Sequence, residues 1–155
     1  MSDAPLAPTH EIVIVPDGEK ELREKCYDVR IQVFHREQGF PLDTEIDEQV
    51  LHLFRSLPPN YMFPRHDETS THFLLRLMPS CTPIGTIRAY RLKGASYYKL
   101  SRLAILKEYR RYNFGRALVL ALHDWVKADS ERFGGSGYAE VIAHSQIPVK
   151  AFYTK

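Results

Sequence analysis

Leu103-Ala104-Ile105-Leu106-Lys107-Glu108-Tyr109-Arg110-Arg111-Tyr112-Asn113-Phe114-Gly115-Arg116-Ala117-Leu118 carries an apolar β-type run through a short basic turn straight into an amphipathic helix. The first amides of a helix have no partners inside it, and the helix dipole puts partial positive charge at that end. A turn feeding such an end makes a cradle for an anion, and a pyrophosphate is a natural occupant. Gly115 lets ligand oxygens come close to the backbone, and Asn113 tolerates the left-handed conformation that such loops often require. Arg110, Arg111 and Arg116 supply local positive charge. An ordinary helix start with a solvated basic turn accounts for the same residues equally well on physics alone. Neither GxxxxGK(S/T) nor GxGxxG is present, so nucleotide hydrolysis and dinucleotide binding find little support.

Downstream, Phe114, Ala117, Leu118, Ala121, Leu122 and Trp125 recur at steps of three and four, which buries one helix face against a sheet. Gly134-Gly135-Ser136-Gly137 stops that helix, Tyr138 to Ala143 reads as a buried strand, and Ile147 to Tyr153 reads as a further helical stretch. Upstream, Thr71 to Leu77 and Pro83 to Leu92 are β-type runs parted by the turn Pro79-Ser80-Cys81-Thr82. After the turn Lys93-Gly94-Ala95, Tyr97 to Leu106 is a third run. Nearer the start, Glu11 to Val15 suits a first strand, closed by Pro16-Asp17-Gly18. Leu22, Cys26, Val29 and Val33 then mark an amphipathic helix from Glu19 to His35, broken by Gly39 and Pro41. Asp43 to Leu51 reads as a short acidic helix or turn, and Phe54 to Thr69, with Pro58, Pro59 and Pro64, as a loop or insertion. Strands that pair in sequence and helices that alternate with strands later predict an α/β fold with a mixed, mostly antiparallel central sheet flanked by helices. Residues 1–10 form a loose arm in this reading, and 11–155 a single domain.

Lys and Arg number 21 against 19 Asp and Glu, so no global field draws the chain to nucleic acid or to a membrane, and any anion site must be local. No apolar run approaches the ~20 residues needed to span a bilayer, and Met1 to Thr9 lacks a basic-then-apolar signal pattern. Cys26 and Cys81 lie in apolar sequence without metal-type spacing and read as reduced structural thiols. The expected compartment is the cytoplasm, with the nucleus left open. The histidines show no HExxH or comparable spacing, so no metal site is expected.

The run Glu108 to Leu118 resembles the acyl-CoA loop of the GNAT superfamily of N-acetyltransferases, whose pattern is Gln/Arg-x-x-Gly-x-Gly/Ala. Arg110 and Gly115 match its ends, while Asn113 stands where the middle glycine is usual. Val29 to Pro41 followed by Glu45-Ile46-Asp47-Glu48 is similar to the first helix and loop of a small bacterial-type subgroup of predicted acetyltransferases. Ile84 to Arg88 resembles the family's central hairpin, and Ser145 to Tyr153 the helix after the fifth strand. The resemblance implies transfer of an acetyl group from acetyl-CoA to a primary amine, on a small molecule or a protein. Family members usually continue with two more strands, whereas this chain stops at Lys155; a catalytically silent acyl-CoA-binding module is therefore the alternative, and a partner copy in a homodimer one way to complete the sheet. A third reading uses Arg110 to Arg116 against nucleic-acid phosphates, which the modest net charge disfavours.

By the same resemblance, Leu103, Ala104 and Ile105 pair through their backbone with the pantetheine arm, and the Ile105 amide polarises the thioester carbonyl. Arg110, Arg111, Tyr112, Asn113, Phe114, Gly115 and Arg116 form the pyrophosphate loop. Tyr153 is the expected general acid, although Phe152-Tyr153 would equally well pack a terminal helix on the sheet. Glu37, Asp47, His52 and His144 are candidate bases beside ordered water, with Glu37 placed foremost. Arg88 would face the acceptor or pair with a carboxylate.

Overall fold

The computed structural model describes residues 5–39, 70–91, 97–132 and 139–143. Five strands form one sheet in the order β1-β2-β3-β4-β5: β1 His10–Ile14, β2 Thr71–Leu77, β3 Pro83–Arg91, β4 Tyr97–Ile105 and β5 Glu140–Ala143. β1 through β4 pair antiparallel in chain order, and β4 pairs with β5 in parallel. This is the mixed, mostly antiparallel sheet that the alternation of runs predicts. The sheet begins inside the expected arm: His10 opposes Leu77, and the Met78 N–H donates to the Thr9 carbonyl at 2.8 Å.

Helix α1, Lys20–Arg30, lies on one face of the sheet and helix α2, Phe114–Arg132, on the other. α2 buries Phe114, Leu118, Leu122 and Val126, a strict four-residue stripe, against Phe73, Leu75, Ile87 and their neighbours. Gly85 makes room on this face for side chains of β2, β4 and α2. A Cβ at this position would meet Ile105 Cδ1 at 2.7 Å, Leu75 Cδ2 at 3.1 Å and Leu118 Cδ1 at 3.3 Å. On the other face, Cys26 packs with Val15 and Leu74, and Val29 and Val33 pack on Ala104.

Three features depart from the pattern read off the sequence. First, the helix expected from Glu19 to His35 is α-wound only to Arg30; Ile31–Glu37 is π-wound. The Gln38 N–H accordingly donates to the Val33 carbonyl five residues back, at 3.1 Å. Second, β4 carries one extra residue. Arg88 opposes Ser101 and Thr86 opposes Ala104, so Arg102 and Leu103 bulge together opposite Ile87. Arg102 takes φ 55 there. Such an insertion reverses which parity faces α2: Tyr98 and Leu100 do so before it, Ile105 after it, and Ala104 turns to α1. Third, Cys81 is not in an apolar setting. It lies half-buried in the β2–β3 turn at φ 61, its thiol near the Met78 sulfur and the Pro79 carbonyl, while Cys26 is buried; both are free thiols. The forms expected for 43–51, 54–69, 93–95, 134–137 and 147–153 fall outside the described residues.

Candidate functional site

The site begins on β4 beyond the bulge. β5 pairs with Tyr97, Tyr98, Lys99 and Leu100, so among the described residues β4 beyond Leu100 is paired on its β3 side alone. The Leu106 N–H donates to the Ile84 carbonyl at 2.9 Å. Alternate residues of an antiparallel strand turn their backbone polar groups to the same neighbour. Ala104 therefore also faces β3, so the Leu103 carbonyl, across the same trans peptide, and the N–H and C=O groups of Ile105 point to the edge left unpaired among the described residues. An extended ligand with amide groups of its own can pair there as an added strand would.

The strand runs into a 3-10 turn, Lys107–Tyr112, opened by the Tyr109 N–H donating to the Leu106 carbonyl at 2.9 Å. Asn113 ends it in the left-handed region at φ 58, ψ 24, and α2 starts at the next residue. The Asn113 carbonyl accepts the first helical bond, from the Ala117 N–H at 3.2 Å. The amides of Phe114, Gly115 and Arg116 precede any acceptor within the helix. Phe114 anchors this end: it is 2 % exposed, with its ring 4.6 Å from that of His10 and 5.6 Å from that of Tyr112. Arg111 lies over the Tyr112 ring, its Cζ 4.9 Å from the centroid, and Arg116 is exposed on the first helical turn. The residues read as one phosphate loop are thus contiguous in space and end on free helical amides.

Arg110 is differently engaged. Its Nη1 and Nη2 donate to Glu37 Oε1 and Oε2 at 2.6 and 2.7 Å, and its Nε donates to the Ile105 carbonyl at 3.0 Å. These bonds hold the Glu37 carboxyl below its ordinary value; burial opposes them, and the charges of Arg110 and Lys107 add to them. A carboxylate held in this way is a weak proton acceptor. No feature of single residues announced this pair, which joins positions 73 apart in the chain.

Under α1, a polar row crosses the sheet. His72 opposes Arg88, Arg88 opposes Ser101, and the Arg88 Nε donates to Ser101 Oγ at 3.0 Å. Arg88 and His72 are both buried, as is Arg30, whose guanidinium lies 5.0 Å over the Tyr27 ring. Arg88 was singled out in the sequence, whereas His72 and Arg30 were not; a buried arginine has no signature in a local pattern. Tyr153, Asp47, His52 and His144 lie outside the described residues. Among the described residues no cluster of three or more His, Cys, Asp or Glu could hold a metal ion, and no helix is long and apolar enough to cross a membrane.

Known proteins share this architecture. The family model described as the acetyltransferase (GNAT) family matches residues 24–155. A Bacillus subtilis (strain 168) protein named as a candidate acetyltransferase is 32% identical over 130 residues, covering 84% of this chain and 71% of its own. A crystal structure of a candidate N-acetyltransferase from Lactobacillus plantarum superposes with a TM-score of 0.66 at 23% identity, over 94% of this chain and 82% of that one. An aminoglycoside acetyltransferase from an uncultured soil metagenomic sample, solved in complex with sisomicin, gives a TM-score of 0.59 at 16% identity, over 94% and 83%. The family pattern runs through most of the sequence and its fold is realised in the sheet: the chain belongs to the GNAT acetyltransferase family, enzymes of acyl-CoA-dependent N-acetyl transfer.

Proposed function

We propose that this chain binds acetyl-CoA along the open edge of β4, with the diphosphate at the start of α2, and transfers the acetyl group directly to a primary amine. One juxtaposition carries the reading: the outward Leu103 carbonyl and Ile105 N–H run, within one short turn, into the free amides of Phe114, Gly115 and Arg116. The donor set suits the ligand, since a pantetheine arm presents amides to a strand edge and a diphosphate presents oxygens to helical N–H groups.

When bound, acetyl-CoA supplies an activated acyl carbon and a sulfur leaving group. The chain's own part is positioning and proton handling. The Ile105 N–H, on the open edge, donates to the carbonyl oxygen as negative charge develops on it; one such donor is typically worth about 2.7–4 kcal/mol. A neutral amine attacks the carbonyl carbon, the C–S bond breaks, the nitrogen loses a proton and the departing thiolate gains one. Tyr153 is our acid for that last proton, by its place in the family pattern. A phenol with a reference pKa of about 10 can protonate a thiolate of about 8.5 only when closely placed. The acceptor class is a primary amine on a small molecule or a protein.

The test is thiol release from acetyl-CoA across a panel of polyamines, amino sugars and lysine peptides, with wild type and Tyr153→Phe. We expect at least one amine to raise release well above background hydrolysis, and Tyr153→Phe to lower kcat by about 10²–10⁴ with acetyl-CoA affinity little changed. Release that no amine stimulates would count against transfer to a primary amine of these classes, and an unaltered kcat would remove Tyr153 as the acid.

A further inference from the structure

We infer that Glu37 and Arg110 are positioning residues, a brace that fixes the end of β4 and the turn after it in the shape that receives the diphosphate. The inference rests on the acyl-CoA reading above. In a phosphate loop, an arginine at the first position is naturally taken as a free cation aimed at the anion. Here three of its five N–H groups are committed, two to Glu37 and one to the Ile105 carbonyl, and its charge is matched by a carboxylate.

The arrangement joins three elements at one mouth. Glu37 is the last residue of the π-wound segment, fixed by the Gln38 N–H on Val33 and the Gly39 N–H on His35, at 3.1 and 3.0 Å. A π turn takes more residues than an α turn, so this winding changes the direction in which Glu37 leaves the helix. Arg110 belongs to the 3-10 turn, and Ile105 is the last residue of β4. The Ile105 carbonyl points to the open edge, where an uncovered oxygen would present partial negative charge to an incoming anion. The Arg110 Nε covers it and leaves the Ile105 N–H and the Leu103 carbonyl for a ligand. Positive charge near the diphosphate then comes from Arg111, Arg116 and Lys107, none of them in an ion pair among the described residues.

The alternative is that Arg110 leaves Glu37 and binds the phosphate itself. The two predict opposite signs for one substitution. If the arginine is a ligand that Glu37 holds back, Glu37→Gln releases it and tightens acetyl-CoA binding. If the pair is a brace, Glu37→Gln loosens binding, because the turn loses one of its supports.

The experiment is titration calorimetry of acetyl-CoA on the full chain as wild type, Glu37→Gln, Arg110→Lys and the exchange Glu37→Arg/Arg110→Glu, with unfolding midpoints recorded for each. We expect Glu37→Gln and Arg110→Lys each to raise the acetyl-CoA Kd roughly three- to tenfold, since lysine keeps the charge but lacks the fork. The exchange should recover part of that loss, and kcat of Glu37→Gln at saturating acetyl-CoA should stay within about threefold of wild type. Arg110→Lys keeps the test open if Glu37→Gln folds poorly. Glu37→Gln binding as tightly as wild type, or more tightly, would overturn the brace, as would full affinity in Arg110→Lys. A kcat for Glu37→Gln down by about a hundredfold or more would make Glu37 the general base and overturn it too. Failure of the wild type to bind acetyl-CoA would instead sink the acyl-CoA reading, and the brace with it.

Discussion

The start of α2 and the end of α1, with its π-wound continuation Ile31–Glu37, reach the same mouth of the sheet from opposite faces, and different forces hold them there. The start of α2 is fixed by burial. Phe114 and Leu118 are 2 % and 0 % exposed, and beneath the helix a Cβ at position 85 would press on the Ile105, Leu75 and Leu118 side chains. The end of α1 leaves the core after Val33 and is tied to the turn by a partly exposed ion pair, Glu37 with Arg110. Dispersion and apolar burial respond little to salt or pH, whereas an exposed pair responds to both. A ligand site built across the two has one rigid wall and one that can be adjusted.

That contrast can be broken by substitution, and the largest effects belong to the buried side. Phe114→Ala should cost about 3–5 kcal/mol, read as a fall in the urea midpoint; a loss below 1 kcal/mol would mean that burial does not anchor the helix start. Gly85→Ala should cost about 1–3 kcal/mol, because its Cβ is placed 2.7 Å from the Ile105 side chain. An unchanged midpoint would show that β4 can shift to make room. At the turn itself, Asn113→Ala should cost about 1 kcal/mol for placing alanine in the left-handed region, while Asn113→Gly should fall within about 0.5 kcal/mol of wild type. Equal stability of all three would deny that conformation at Asn113.

The smallest effect is expected at the end of α1, and it sharpens the comparison through pH. The Glu37 carboxyl is held below its ordinary value of 4.5, so the pair's stabilisation is present above that pH and is lost as pH falls through the lowered value. A partly exposed pair is worth about 0.2–1 kcal/mol. Wild type should exceed Glu37→Gln by that amount at pH 7, and the gap should close as pH falls below 4.5 through the lowered value, and in high salt. A gap that stays constant with pH would show that the carboxylate's charge is not what holds the turn.

The two regions also differ in how far the sequence disclosed them. The turn into α2 is local: its apolar run, Asn113, Gly115 and the four-residue stripe from Phe114 are contiguous, and backbone physics acts on neighbours. The strands of β2 and β3 were legible for the same reason. The end of α1 was not. Val33 and Glu37 fit an ordinary α-helical stripe as well as a π-wound one, and the partners they meet, Ala104 and Arg110, are distant in the chain. In β4, the alternation Tyr98, Leu100 switches to Ile105 through a bulge at Arg102, a residue that gives no warning of φ 55. The edge of β4 beyond Leu100 offers backbone groups, which leave no mark on side-chain identity. Buried Arg30 and His72 likewise acquire their setting from elements that are distant in the chain.

The most direct test of the central claim is thermal unfolding of the full chain with and without acetyl-CoA. A ligand that binds only the folded state adds about 2.7 kcal/mol at 100 times its dissociation constant. We expect the midpoint to rise with acetyl-CoA concentration, and to rise less for Gly115→Pro, which removes one of the amides at the start of α2. A cooperative transition that saturating acetyl-CoA leaves in place would contradict the assignment of β4 and the start of α2 as its site.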